Sequence, residues 1–337
     1  MLLTRRAFIS VVGISLGLTA CQLRPPPARR DQPNATPVPP VASQVVVTHT
    51  PANHAVVTQQ VAAQYSFAAF ASRVRTHQDE HTLYIESDGM PDHPMMIGIR
   101  SWQQQVPIPQ DYTGSNAWQL PRQPQIAETP ISAKSALYRG AIAIAANGVP
   151  IFNALHHRGE DAVLAGELDE WGGHCGQGDD YHYHVAPLHL QAIVGATNPI
   201  AYALDGFPIY GNTEPDGSPM QALDEFNGHY DASGNYHYHG TTTYPYINGG
   251  LRGTVVVRDD QIEPQPHIHP VRPPQQPLPG AVITDFHIVS EQSYVLTYTR
   301  DGATHTVEYT RNGDTYTFVF SDASGTRTSE SYRMPPP

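Results

Sequence analysis

Cysteine is nearly absent from this sequence, and long hydrophobic runs are absent from most of it. Of the 337 residues only two are cysteine, Cys21 and Cys175, so a framework of several disulfide bonds is excluded. A weakly apolar run at residues 11–18 is too short to cross a bilayer as a helix. Sustained helical periodicity is scarce after that run, which speaks against a mainly helical fold.

Basic residues are also few. The chain has 19 lysine and arginine residues against 31 aspartate and glutamate residues, which gives a formal net charge of −12 at pH 7. Nucleic acids and anionic membrane surfaces repel a protein of this charge. We therefore expect no nucleic-acid partner.

Proline, glycine and tyrosine are abundant instead. The sequence has 32 proline, 27 glycine and 18 tyrosine residues, while hydrophobic residues make up 39% of it. Proline and glycine favour turns, and tyrosine favours strands. The composition predicts a mainly β fold with short strands and long ordered loops.

The N-terminus has the features of an export signal. Arg5-Arg6 precedes the apolar run, and Leu-Thr-Ala-Cys follows it and ends at Cys21, an order typical of a twin-arginine signal with a lipobox. We predict a signal at residues 1–21, lipidation at Cys21 and a proline-rich tether at residues 22–40. This bacterial lipoprotein would be extracytoplasmic, in the periplasm or at the cell surface, with the membrane as its partner through the lipid. The alternative is an ordinary signal peptide with a chance cysteine.

One pattern of seventeen residues occurs twice. "LDEWGGHCGQGDDYHYH" (residues 168–184) and "LDEFNGHYDASGNYHYH" (residues 223–239) agree at nine positions. Further upstream, "AANGVPIFN" (residues 145–153) matches "ALDGFPIYG" (residues 203–211) at an offset of 58 residues. Two copies are too few for a solenoid, so the pattern indicates one duplicated unit.

These observations predict a domain organisation. We expect an internally duplicated β-rich domain at residues 41–257, with units of about 139–190 and 198–248, packed about a pseudo-twofold axis with the motif strands near that axis. A proline-rich linker should follow at residues 258–280. Glycine-containing turn signals then predict a small antiparallel β-meander at residues 281–333.

Histidine is the residue that points to chemistry. In each Tyr-His-Tyr-His strand the two histidines should share one face, and a Gly-His eight residues earlier can return a third imidazole from the neighbouring strand. Imidazole is the commonest neutral protein ligand of transition metals, and three histidines leave coordination positions open. If the duplication builds a symmetric site, the four motif histidines should converge, with His174 and His229 completing two neighbouring centres of three histidines. The predicted metal ligands are His174, His182, His184, His229, His237 and His239.

Other residues have two interpretations each. Carboxylates precede each Gly-His and either act as acid–base or orienting groups or serve as turn caps; these candidate catalytic residues are Asp169, Glu170, Asp224 and Glu225. Cys175 is expected to be a small buried hydrophobic residue, with soft metal ligand as the alternative. Four further histidines without a counterpart in the other unit are auxiliary candidates: His93, His156, His157 and His189. His267 and His269 in the linker could bind metal loosely, but the prolines around them favour exposure without a cage of ligands.

The repeated motifs resemble those of the YHYH-domain proteins. The likeness rests on "ELDEWGGHCGQGDDYHYHVAP", "IAYALDGFPIYG" and "NGHYDASGNYHYHGTTTYPYINGG", and it covers roughly residues 82–252. The resemblance implies a secreted or lipid-anchored protein, and it implies no particular activity or metal.

The sequence therefore predicts an extracytoplasmic, lipid-anchored protein that binds a transition metal, copper or zinc. One alternative is a metal-dependent hydrolase in which an acidic residue moves protons beside a metal-bound water. Another is a metal-free module whose exposed tyrosine and histidine side chains bind glycan or peptide. Whether the six histidines form one site or two is open, and no small-molecule or protein partner is identified.

Overall fold

The computed structural model describes residues 66–334. The predicted signal, its lipidation site, the tether and the first part of the duplicated domain lie outside these residues. No helix within the described range is both long and apolar enough to cross a membrane.

The described part of the chain is mainly β, as the composition predicted. The strands before the first motif are β1 (Arg75–Gln78), β2 (Thr82–Glu86), β3 (Trp118–Pro121), β4 (Ile126–Ser132), β5 (Ala141–Ala145) and β6 (Pro150–Phe152). Those from the first motif to the end of the second are β7 (Gly173–Cys175), β8 (Tyr181–Tyr183), β9 (Ala201–Ala203), β10 (Pro208–Tyr210), β11 (Gly228–Tyr230) and β12 (Tyr236–His239). The remaining strands are β13 (Gly250–Gly253), β14 (Val256–Arg258), β15 (Gln261–Glu263), β16 (Val282–Ser290), β17 (Ser293–Arg300), β18 (Ala303–Asn312), β19 (Thr315–Ser321) and β20 (Arg327–Arg333).

Helices are short in this range. Residues 66–68 are helical, α1 spans Gln191–Val194, and two 3-10 helices span Gly114–Asn116 and Leu188–Leu190. None of these helices is long enough to contribute a packed helical layer, so the core depends on the sheets.

Eight strands form the central sheet in the order β11-β12-β10-β9-β5-β6-β8-β7. From either edge inward the pairing is antiparallel, then parallel, then antiparallel, and β5 pairs antiparallel with β9 in the middle. The expectation that the two motif strands lie near the centre is wrong, because β10, β9, β5 and β6 separate β12 from β8. β5 consists of alanine and isoleucine and pairs with β9 in the middle of the sheet, which places β8 and β12 on opposite sides of this pair.

The C-terminal strands form the predicted antiparallel meander, in the order β16-β17-β18-β19-β20. Its apolar side chains belong to the same buried cluster as those of the central sheet. Main-chain hydrogen bonds join Ile283 to Gly98 and Ile99, and the Tyr309 hydroxyl donates to the Pro107 carbonyl at 2.5 Å. The meander therefore packs on the rest of the fold directly.

The segment between the central sheet and the meander contains more than extended linker. β14 and β15 pair as a short hairpin. Two other small sheets lie outside this segment: β13 pairs with β4, and β1, β2 and β3 form a sheet of three strands. His267 and His269 are exposed, as expected, but Val271 and Arg272 are buried. This segment therefore contributes to the core as well as to the connection.

Candidate metal centres

The first candidate centre is built on the hairpin β7–β8. His182 and His184 alternate with Tyr181 and Tyr183, so both imidazoles project from one face of the strand. In the hairpin register His174 of β7 lies directly opposite His182. The neighbouring strand thus supplies a third imidazole, as the spacing predicted.

The three imidazoles meet at their Nε2 atoms. We call this group the first centre; its members are His174, His182 and His184. The Nε2 atom of His184 lies 3.0 Å from that of His174 and 3.2 Å from that of His182. Tetrahedral ligand atoms around an ion with bonds of about 2 Å stand about 3.3 Å apart. The observed spacing fits ligands of one ion.

Hydrogen bonds on the far side of the rings fix the tautomers. Nδ1 of His184 donates to the Asn153 carbonyl at 2.5 Å, and Nδ1 of His182 donates to the Asp180 carbonyl at 3.0 Å. Because a carbonyl only accepts, the Nε2 atom of each neutral ring has a free lone pair. Burial lowers the pKa of His184 to about 3, which keeps that ring neutral. The lone pairs of His182 and His184 therefore face each other, an arrangement that a cation stabilises.

The hairpin β11–β12 repeats this geometry at the other edge of the sheet. We call this group the second centre; its members are Glu214, His229, His237 and His239. His229 lies opposite His237 in the hairpin register. The three Nε2 atoms stand 3.0, 3.1 and 3.2 Å from one another, and the Nδ1 atom of His239 donates to the Gly211 carbonyl at 2.8 Å. The second centre therefore also brings three Nε2 atoms together, and the tautomer of His239 leaves its Nε2 lone pair free.

A carboxylate completes the second centre. Oε2 of Glu214 lies 3.1 Å from Nε2 of His237, 3.3 Å from that of His229 and 3.6 Å from that of His239. Its other oxygen accepts the Gln221 N–H at 2.7 Å. Burial opposes ionisation, but this hydrogen bond and the neighbouring imidazoles lower the pKa of Glu214 overall. The second centre thus combines three nitrogen ligands with one ionised oxygen ligand.

Glu214 was missed in the sequence, although a signal for it exists. It lies three residues beyond the matched stretch that ends at Gly211, in a Glu-Pro-Asp-Gly turn that resembles an ordinary surface turn. If the alignment is continued for three more residues at the same offset of 58, Glu214 aligns with His156. His156 therefore has no histidine counterpart in the second unit, as expected, and the residue at the equivalent position is a glutamate.

The four acidic candidates lie away from the imidazoles. The Asp169 carboxylate accepts the backbone N–H groups of Trp171 and Gly173 and the hydroxyl of Tyr181, and desolvation by burial raises its pKa to about 6. Asp224 makes the corresponding contacts in the second hairpin. Glu170 and Glu225 are exposed. The two aspartates therefore bind turn N–H groups and tyrosine hydroxyls, on the face of the sheet opposite the imidazoles.

The face opposite the histidines is packed core. The four motif tyrosines are at most 2% exposed: Tyr181, Tyr183, Tyr236 and Tyr238. Cys175 is buried among apolar side chains, and burial raises the pKa of its thiol well above the usual value. Neither candidate centre includes it.

His93 and His189 also lie on this face, where His93 forms a hydrogen bond with the Tyr183 hydroxyl and His189 packs edge-on against His93.

The two centres are separate. Each forms its own group of converging ligand atoms, and the strands that hold them lie toward opposite edges of the central sheet. The expectation that the four motif histidines converge is therefore wrong. Within the described residues, the six histidines make two groups of three.

One comparison with known proteins agrees with the resemblance seen in the motifs. Residues 117–221 match a family model described as YHYH protein. The matched range includes all three histidines of the first centre and Glu214, and it ends before His229. No curated protein and no solved structure matches the chain.

Proposed function

We propose that this protein binds two transition-metal ions, one in each centre. The observation that carries the proposal is the convergence of three Nε2 atoms in each centre. The Nδ1–H groups of His182, His184 and His239 donate to backbone carbonyls, which leaves the Nε2 lone pairs of those rings free. Buried acceptors without donors are destabilising, and one cation per centre would satisfy all of them. The metal-free alternative required exposed tyrosine and histidine side chains, but the tyrosines and histidines of both Tyr-His-Tyr-His strands are buried.

The ligand types favour copper or zinc. Imidazole nitrogen suits both metals, whereas magnesium and calcium prefer sites made of oxygen ligands. The only cysteine among the described residues stays in the core, so neither centre is a thiolate site. Structural zinc sites are usually rich in thiolate. The first ligand set, three imidazoles without a thiolate, therefore resembles a catalytic or exchangeable site more than a structural one.

We also propose that the central sheet arose by internal duplication. The pairing pattern is the same from either edge inward, and contacts recur between equivalent residues. Tyr181 donates to Asp169 at 2.8 Å, and Tyr236 donates to Asp224 at 2.9 Å. These repeated contacts support two copies of one unit, each with its own centre.

We further propose an extracytoplasmic protein anchored through a lipid at Cys21, on the evidence of the N-terminal sequence. A twin-arginine route exports folded protein, so an ion bound before export would be carried out with it. A Cys21→Ser variant should leave the membrane fraction and appear in the soluble fraction. A variant that stays with the membrane would contradict the anchor.

Metal content tests the function. The purified protein, dialysed against buffer without chelator, should hold two ions of copper or zinc per chain by elemental analysis. His182→Ala/His184→Ala should lose one ion, because the first centre retains a single imidazole, and His237→Ala/His239→Ala should lose the other. Each variant should keep the ion of the unaltered centre.

A third histidine pair provides the matched control. His267→Ala/His269→Ala removes another His-x-His pair, which is exposed and outside both centres, so it should keep two ions. Wild-type protein with no stoichiometric metal, and with no rise in melting temperature on addition of copper or zinc, would refute the proposed function.

A further inference from the structure

The same turn follows β6 and β10. In the first turn the His156 N–H donates to the Glu160 carbonyl and the Gly159 N–H donates to the His156 carbonyl. In the second turn Glu214 makes the same two backbone hydrogen bonds with Ser218 and Gly217. The pairs 156/214, 159/217 and 160/218 all differ by 58, so His156 and Glu214 occupy equivalent backbone positions.

The two side chains make different contacts from these positions. Glu214 contacts all three imidazoles of the second centre. The Nδ1 atom of His156 instead accepts the Arg158 backbone N–H at 3.1 Å, and its Nε2 atom lies 3.1 Å from Oε2 of Glu160 and 4.0 Å from Oε1 of Glu167. The ligand atoms that converge at the first centre do not include those of His156. Its ring nitrogens are engaged by these other partners.

We propose that the two centres differ in kind: the second is closed by Glu214, whereas the first keeps an open coordination position that takes water or a small anion. This inference rests on the proposed function. At the first centre three neutral imidazoles leave a divalent ion with its full charge of two, while the Glu214 carboxylate reduces the net charge of the second to one. An exogenous anion is therefore attracted more strongly to the first centre.

Ligand exchange on cobalt(II) tests this difference. Metal-free protein loaded with two Co²⁺ ions per chain is titrated with sodium azide while the visible d–d absorption is recorded. Azide replaces one water on the ion, so that a Co–O bond breaks, a Co–N bond forms and one water is released. We expect a spectral change that saturates at one azide per chain.

Variants assign the change to a centre. His237→Ala/His239→Ala, which retains the first centre, should keep the azide response, and His182→Ala/His184→Ala should lose it. Glu214→Gln should add a second azide-binding event and bind the second Co²⁺ at least tenfold more weakly in competition with a chelator. His156→Ala should leave the affinity of the first centre within about threefold of wild type.

Other outcomes overturn the inference. An azide response that survives removal of the first centre shows that the second centre is open, and no response at all shows that both are closed. A tenfold loss of first-centre affinity in His156→Ala shows that His156 rotates in as a fourth ligand. Two bound ions with indistinguishable azide behaviour would sink this inference and leave the proposed function standing. Protein that binds no Co²⁺ would defeat both.

Discussion

At the scale of single residues, the glycine before each metal-binding histidine has a steric explanation. A Cβ atom added at Gly173 or Gly228 would overlap the hydroxyl end of the tyrosine on the facing strand, Tyr181 or Tyr236 respectively. That tyrosine hydroxyl is in turn held by the turn aspartate. The glycine therefore lets the two strands of the hairpin approach closely enough for the imidazoles to meet.

Replacing Gly228 tests this explanation. Gly228→Ala should destabilise the protein by about 1–3 kcal/mol, the usual range for overpacking a well-packed site, and should weaken metal binding at the second centre. The first centre should be unaffected, since its hairpin lies toward the other edge of the sheet. Urea unfolding and metal titration measure the two effects.

Ser233 supplies the control in the same hairpin. It is exposed, so Ser233→Ala should change the free energy of unfolding by less than about 0.5 kcal/mol. Equal stabilities for the Gly228→Ala and Ser233→Ala variants would show that the glycine has no packing role.

At the scale of elements, the turn of the first hairpin is fixed by a buried ion pair that the second lacks. Asp179, in the turn between β7 and β8, forms two short hydrogen bonds with the Arg272 guanidinium, at 2.7 and 2.8 Å. Both side chains are nearly inaccessible, at 3% and 2% exposure, and the guanidinium also stacks on Phe318 of the meander. The equivalent position in the second hairpin is Gly234. The first hairpin is therefore coupled to the C-terminal strands.

Removing one partner of this pair should be costly. Arg272→Ala leaves the Asp179 carboxylate buried without its cation, which typically costs about 3–5 kcal/mol. Because Asp179 lies in the turn that precedes His182, metal affinity should fall at the first centre and not at the second. Chemical denaturation and competition with a chelator provide the measurements.

An exposed ion pair in the meander is the matched control. Arg327 and Glu308 lie 3.0 Å apart with side chains 56% and 43% exposed, and such pairs contribute about 0–1 kcal/mol. Arg327→Ala should therefore change little. If Arg272→Ala were no more destabilising than Arg327→Ala, the proposed coupling would be absent.

At the scale of the whole molecule, local patterns in the sequence predicted local features correctly, whereas the long-range pairing of strands was not predicted. Alternation in Tyr-His-Tyr-His correctly placed the two histidines of each motif on one face, and the eight-residue spacing correctly returned a third imidazole. Three glycine turns predicted a meander, but the turn between β16 and β17 runs through Glu291 and Gln292 and has no glycine signal. These features depend on neighbours in sequence, which is why pattern alone could find them.

The arrangement of the central sheet and the full ligand sets depended on contacts that the sequence does not encode locally. Two fully buried strands, β5 and β9, pair in the middle of the sheet, so the motif strands lie on either side of them and the two clusters lie apart. Glu214 enters the second centre from a turn after β10, while His156 in the matching turn is held by Glu160. No local motif distinguishes these two outcomes, because the side-chain partners come from elsewhere in the fold.

The most direct test of the central claim, two ions held by two separate groups of imidazoles, is a crystal structure with anomalous difference maps recorded at the absorption edge of the bound metal. The maps should show two peaks per molecule, one within about 2–2.2 Å of the Nε2 atoms of the first centre and one at similar distance from those of the second. A single peak shared by both groups, or no peak at either in protein exposed to copper or zinc, would contradict it.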